Sequence, residues 1–187
     1  MRQSAAEIDF AILDVAAGIF ATHGFTHTSV QQIADAVGYS KPGLLHRFGS
    51  KEALYRAVML EVTETVEVIV DHVVSLRSNP ASLPQVIELV VRRALARPGV
   101  VQMVLAAFEP TAAEPGTERA QAAGYRLVDA LDQPHGNPAD RLRITLALQL
   151  IVTAAMTQHS TVDADLHVAE ERFVPMVRDL ALAVLTT

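Results

Sequence analysis

Apolar residues recur at three- and four-residue spacing along most of the chain, and nowhere do they alternate over the length of a strand. The first run predicts a helix over 5–23, with Ile8, Ile12, Val15, Ile19 and Phe20 on one face. Gly24 then stands where a helix ends. A second, shorter run places Val30, Ile33, Ala34 and Val37 on one side and stops at Gly38. Thr28 with Gln31, and Ser29 with Gln32, both have capping-box spacing at its start. Tyr39 and Ser40 form a turn, and Ser40 caps a third helix that buries Leu44 and Phe48. Pro42 is tolerated there because the first turn has no helical partner for the N–H that proline lacks. Gly49 breaks this helix, and Ser50 caps a fourth with Glu52 in its first turn.

The remaining pattern is longer and less punctuated. The fourth helix passes Leu54, Val58 and Val62 into "TVEVIVDHVVSL", with a bend near 60–65 left open. Further helices are predicted over Val86–Leu95, Val101–Phe108, Ala120–Leu131, Ala139–His159 and Leu166–Leu185. Asn137 caps and Pro138 opens the helix that follows "DQPHGNP", whereas Pro175 is expected to kink or split the last one. The fold class is therefore all-α. It divides into a three-helix N-terminal head, 1–54, and a helical bundle, 55–187.

Composition narrows the classes. The chain has 187 residues, half of them apolar, enough to bury a sizeable core. Cysteine is absent, which removes disulfide frameworks and thiolate metal sites. Acidic residues in the first helix argue against a signal peptide. The most apolar run, Ile144–Met156, is too short for a membrane span and contains Gln149. A soluble, cytoplasmic protein is expected. The net charge of −6 argues against general nucleic-acid affinity, but its distribution changes the picture. Within 1–58 the charges balance, and Lys41, Arg47, Lys51 and Arg56 crowd a segment whose single acid is Glu52.

Two short helices joined by a glycine turn have the layout of a helix-turn-helix, whose second helix enters a DNA major groove. The apolar residues of this segment can pack on the first helix, leaving Lys41, His46 and Arg47 outward and Lys51 at the head of the fourth helix. Lysine and arginine neutralise phosphates and can reach guanine edges.

The string "AAGIFATHGFTHTSVQQIADAVGYSKPGLLHRFGSKEAL" resembles the N-terminal domain of the TetR (tetracycline repressor) family of transcription regulators. The likeness runs over about residues 8–54, a quarter of the chain. It implies a sequence-specific regulator, a repressor released from a palindromic operator by a small, mostly apolar inducer. By position in the motif, Gln31, Lys41, Gly43 and Arg47 would face base edges beside Pro42, and Thr28, Ser29, His46 and Lys51 would grip the backbone. One residue departs from the family pattern: Leu45 stands where a phosphate-contacting tyrosine is usual. The resemblance further implies a homodimer, formed by the helices Ala139–His159 and Leu166–Leu185, binding double-stranded DNA. It also implies an inducer pocket, for which His72, Met103, Phe108, Tyr125, Gln149 and Met156 are candidates.

Other chemistries are weaker. "HSTVDADLH" gathers His159, Asp163, Asp165 and His167, but the spacing fits no zinc signature, so no metal is expected. "GYSKPG" has the glycine spacing of a phosphate loop, yet Leu44 and Leu45 stand where Lys and Ser/Thr are needed. No cofactor motif and no catalytic elbow is present, so an enzyme is not expected. The alternative is an all-helical small-molecule sensor with weak or lost DNA recognition.

Overall fold

A computed structural model describes residues 4–76, 82–106, 117–132, 136–159 and 167–186. Among them are nine helices and no strand: α1 (Ala5–His27), α2 (Val30–Ala36), α3 (Lys41–Phe48), α4 (Lys51–Leu76), α5 (Leu83–Ala96), α6 (Pro98–Ala106), α7 (Thr117–Leu131), α8 (Pro138–His159) and α9 (Glu170–Thr186). They fall into two compact units, Met1–Thr65 with Gly99–Ala122, and Val66–Pro98 with Ala123–Thr187. None of the described helices is long and apolar enough to cross a membrane.

In the first unit α1 opens on a full capping box. The Ser4 hydroxyl accepts from the Glu7 N–H at 3.2 Å, and the Glu7 carboxylate accepts from the Ser4 N–H at 2.6 Å. These hydrogen bonds hold the Glu7 carboxyl below its ordinary pKa. The buried face of α1 is Ile12, Leu13, Ala16, Ala17 and Phe20. This corrects the sequence reading: Ile8, Val15 and Ile19 are only half-buried, because alanines and Leu13 turn the contact stripe aside. The helix is interrupted at Gly24, with φ 76° and ψ 164°, and a further turn follows before Thr28. Ile33, Ala34 and Leu44 complete the core of the head, while Phe48, Val30 and Val37 lie half-buried at its margin.

The first unit also holds most of α6. Asp14 of α1 accepts the Val100 N–H on its carboxylate at 3.0 Å, satisfying a first-turn amide of α6. The crossing is close. A Cβ on Gly99 would lie far inside van der Waals contact distance of the Asp14 carbonyl oxygen and 2.9 Å from the Gly18 amide nitrogen. Gln102 donates to the Thr22 hydroxyl at 3.3 Å beside it. Glycine at 99 is thus a packing requirement.

In the second unit α5, α8 and α9 pack together. Val86, Ile87, Val90 and Val91 of α5, Ile144 and Ile151 of α8, and Phe173, Val174 and Val177 of α9 are buried. Arg178 of α9 meets Glu88 of α5 at 3.2 Å, and Arg92 of α5 meets Glu170 of α9 at 3.4 Å. Arg126 of α7 pairs with Glu67 of α4. Asn137 caps α8 as expected, its side-chain oxygen accepting from the Ala139 and Asp140 amides at 2.8 and 3.0 Å. Pro175 does not split α9. The amide it lacks would have served Glu171, which is exposed to solvent, and its neighbours Phe173, Val174 and Val177 are anchored in the core. Gln158, near the end of α8, donates to the Val168 carbonyl at 2.5 Å and accepts its amide at 3.1 Å. Of the "HSTVDADLH" group, Asp163 and Asp165 lie outside the described residues.

Candidate nucleic-acid interface

The outward side of the head is set by three serine caps and one glycine turn. Ser29 caps α2, accepting the Gln32 amide at 3.1 Å. Its neighbour Thr28 does something else: it is only 2% exposed, and its hydroxyl donates to the Gly24 carbonyl at 2.7 Å. The break at Gly24 leaves that carbonyl without a helical partner, and Thr28 supplies one.

Between α2 and α3 the chain reverses at Gly38, with φ 71°. A side chain is strained in that left-handed region, and glycine is not. The Tyr39 amide then donates to the Ala34 carbonyl at 2.8 Å, closing the turn. Ser40 caps α3 by accepting the Gly43 amide at 3.1 Å. A Cβ on Gly43 would sit 3.1 Å from that same hydroxyl oxygen, so the cap itself favours a small residue there. Leu44 points inward, 1% exposed, and fixes the rotation of α3. Lys41, Pro42 and His46 are consequently exposed, and Leu45 is half-buried.

Ser50 caps α4 through the Ala53 amide at 3.1 Å. Hydrogen bonds to its own amide and to Ser50 hold Glu52 below its ordinary pKa. Lys51, at the first position of α4, has its Nζ 4.3 Å from the centroid of the Phe25 ring. That ring packs on Tyr55 at 4.9 Å, and Tyr55 meets Phe20 edge-on at 5.0 Å. The aromatic core of the head thus reaches the surface beneath a lysine.

Ser29, Gln31, Lys41, Pro42 and His46 share the exposed surface of the head, with Gly43 and Lys51 half-buried at its floor and edge. Gln31 donates to Asp35 at 2.6 Å along its own helix. Arg47 is turned elsewhere. Its Nε donates to Asp9 Oδ1 and its Nη2 donates to the Ala5 carbonyl at 2.7 Å. The Asp9 carboxylate raises the pKa of the guanidinium. Sequence reasoning missed both Asp9 beneath Arg47 and Phe25 beneath Lys51. Each contact joins segments far apart in the chain, and residue spacing carries no signal for it.

The inducer candidates are scattered. Met103 is buried in α6, whereas His72, Gln149 and Tyr125 are exposed, Tyr125 by 53%. Met156 is half-buried, and Phe108 lies outside the described residues.

Residues 12–58 match the family model described as bacterial regulatory proteins, tetR family. A curated relative, the HTH-type transcriptional regulator RutR of Escherichia coli (strain K12), is 46% identical over 54 residues. Those residues are 29% of this chain and 26% of that protein, so the chain spans about a quarter of the length of the curated relatives it matches. Among solved structures, a TetR-family transcriptional regulator from Bordetella parapertussis 12822 aligns with a TM-score of 0.62 at 21% identity. That alignment covers 96% of this chain and 94% of the other. A transcriptional regulator from Aquifex aeolicus VF5 aligns with a TM-score of 0.53 at 16% identity, covering 95% of this chain and 99% of its own. At such identities the likeness is one of fold, and it extends over nearly the whole chain. Residues 12–58 thus match the tetR family of bacterial regulatory proteins in sequence, and the helices beyond them are similar in fold to the regulators in those solved structures.

Proposed function

We propose that the chain is a helix-turn-helix transcription regulator that binds double-stranded DNA with α2, α3 and the start of α4. One observation carries this reading. Leu44 and Ile33 face the core while Lys41 and His46 stand in solvent on the other side of the same short motif. A recognition helix must present its N-terminal residues to base edges, and Lys41, Pro42 and Gly43 open α3. Lys51, His46 and Ser29 are suited to phosphates, and Gln31 and Lys41 to base edges.

The regulator acts as a homodimer on a palindromic site, with two recognition helices about 34 Å apart. Leu142 and Leu146 on α8, and Met176 and Leu180 on α9, support this. All four are exposed at helical spacing, and a second copy would cover them. A small, mostly apolar inducer releases the DNA by favouring a conformation that does not fit it. In support, the side chains buried in the second unit are mostly Val, Ile, Leu, Ala and Phe173, with Ser82, Asp132 and two guanidinium nitrogens of Arg97 as polar exceptions among the described residues, so a ligand entering its core meets mainly hydrocarbon.

Selection of a preferred duplex from a random pool tests the DNA reading, followed by affinity against salt. Enrichment of an inverted repeat with a steep salt dependence is expected. No enrichment, with a small molecule still bound, favours the second reading of a sensor without DNA recognition. The pairing of Arg47 with Asp9 and the hydrocarbon at Leu45 are what support that alternative.

A further inference from the structure

Arg47 occupies the last turn of α3, and two elements converge on it. Asp9 and Ala5 are four residues apart on α1, so they lie one above the other on a single face. The guanidinium spans that turn, with Nε on the Asp9 carboxylate and Nη2 on the Ala5 carbonyl at 2.7 Å. The donors of an arginine form a rigid planar fork, so two such bonds fix its direction as well as its distance. Ala5 is the first residue of α1, and that turn is itself held by the reciprocal Ser4–Glu7 box. The side chain of Arg47 is only 25% exposed. A continuous line of contacts thus runs from the cap of α1 to the end of the recognition helix.

Geometry gives this line its effect. α3 has eight residues and a length of roughly 12 Å. Leu44 anchors its middle, and the end bearing Arg47 is the far arm of the lever. A tilt of about ten degrees about Leu44 would move the Lys41 backbone by roughly 0.8 Å, enough to carry a hydrogen bond of about 2.9 Å past about 3.5 Å.

We infer that Arg47 is a positioning residue and not a base reader: with Asp9 and the Ala5 carbonyl it clamps the C-terminal end of α3 to the first turns of α1 and sets the angle at which Lys41, Pro42 and Gly43 are presented. The clamp rests on the DNA-binding reading for its purpose, though not for its existence.

A mutant cycle of Arg47→Ala, Asp9→Asn and the double variant tests it, read by DNA affinity, base preference and salt slope. Each single change lowers affinity by about three- to tenfold, and the double change is no worse than the weaker single. Arg47→Ala and Asp9→Asn change base preference alike, at the positions that Lys41, Pro42 and Gly43 present to the duplex, and the salt slope stays as in the wild type, because Arg47 itself gives up no phosphate or base contact. Arg47→Lys retains one bond to Asp9 and recovers part of the affinity. Relaxed preference at one position or a salt slope reduced by about one, in Arg47→Ala with Asp9→Asn unaffected, would overturn the clamp. A second arm needs no DNA: Asp9→Asn speeds hydrogen exchange at the α3 amides of the free protein. Unchanged exchange overturns the clamp even if the duplex selection succeeds. A wild-type chain that selects no duplex, with exchange still accelerated, defeats the DNA reading alone.

Discussion

The two units solve the same problem of packing helices by different means. In the head, every reversal is marked by a residue that acts locally: Ser29, Gly38, Ser40, Gly49 and Ser50 cap or turn the chain within a few positions. In the second unit α5, α8 and α9 are each longer than α2 and α3. α5, α8 and α9 are held by buried valines, isoleucines and Phe173, with ion pairs between Glu88 and Arg178 and between Arg92 and Glu170 at the rim. The head is short and must hold its angles, so it relies on directional hydrogen bonds. The bundle relies on non-directional apolar contacts, and it exposes Leu142, Leu146, Met176 and Leu180 to its surroundings.

The sharpest way to break this contrast is at Leu44. Leu44→Ala removes the anchor of α3 and should cost about 2–5 kcal/mol, seen as a lower unfolding midpoint of the head. Gly99→Ala should follow at about 1–3 kcal/mol, because the added methyl meets the backbone of α1 at Asp14. Thermal unfolding of the variant measures it, and an unchanged midpoint would mean that α6 is not seated against α1. Ser40→Ala should cost about 1 kcal/mol by the same measurement, and Ser40→Gly only a few tenths. On the bundle side, Leu146→Asp should leave the fold intact and shift sedimentation toward a monomer, whereas an unshifted boundary would mean the exposed stripe covers no second copy.

The smallest effect concerns pH. Glu88 has its pKa lowered, first by the hydrogen bond from Arg92 and then by that from Arg178. A carboxylate depressed on folding contributes stability that is present above its unfolded value of about 4.3 and fades as pH falls through the lower folded value. Glu88→Gln should therefore lower the unfolding midpoint slightly at neutral pH and by less as pH falls below about 4, which flattens the acid limb of the stability curve.

Most of the head was legible in the sequence because its determinants are local. The Ser40–Gly43 cap and the Gly38 turn depend on residues two to four apart, and both were read correctly in type and place. The face of α1 was harder. Periodicity selects Ile8, Val15 and Ile19 as readily as Leu13, Ala16 and Ala17, and only the neighbours of α1 decide between them. The exposed surface around Lys41 and His46 followed from the buried position of Leu44. The direction of Arg47 did not, since Asp9 lies 38 residues away and an arginine on the last turn has room to swing either way. The bundle was legible as helices and not as contacts, and Pro175 shows why: a local rule predicts a break, and the core residues beside it prevail.

Lys51 over Phe25 carries a consequence of another kind. An unrestrained lysine explores many rotamers, and immobilising one costs up to about 2 kcal/mol of conformational entropy. The ring beneath Lys51 already narrows that search before any anion arrives. A phosphate that meets the head there finds a charge waiting in place, and the association loses less disorder than the same charge on a free stem would.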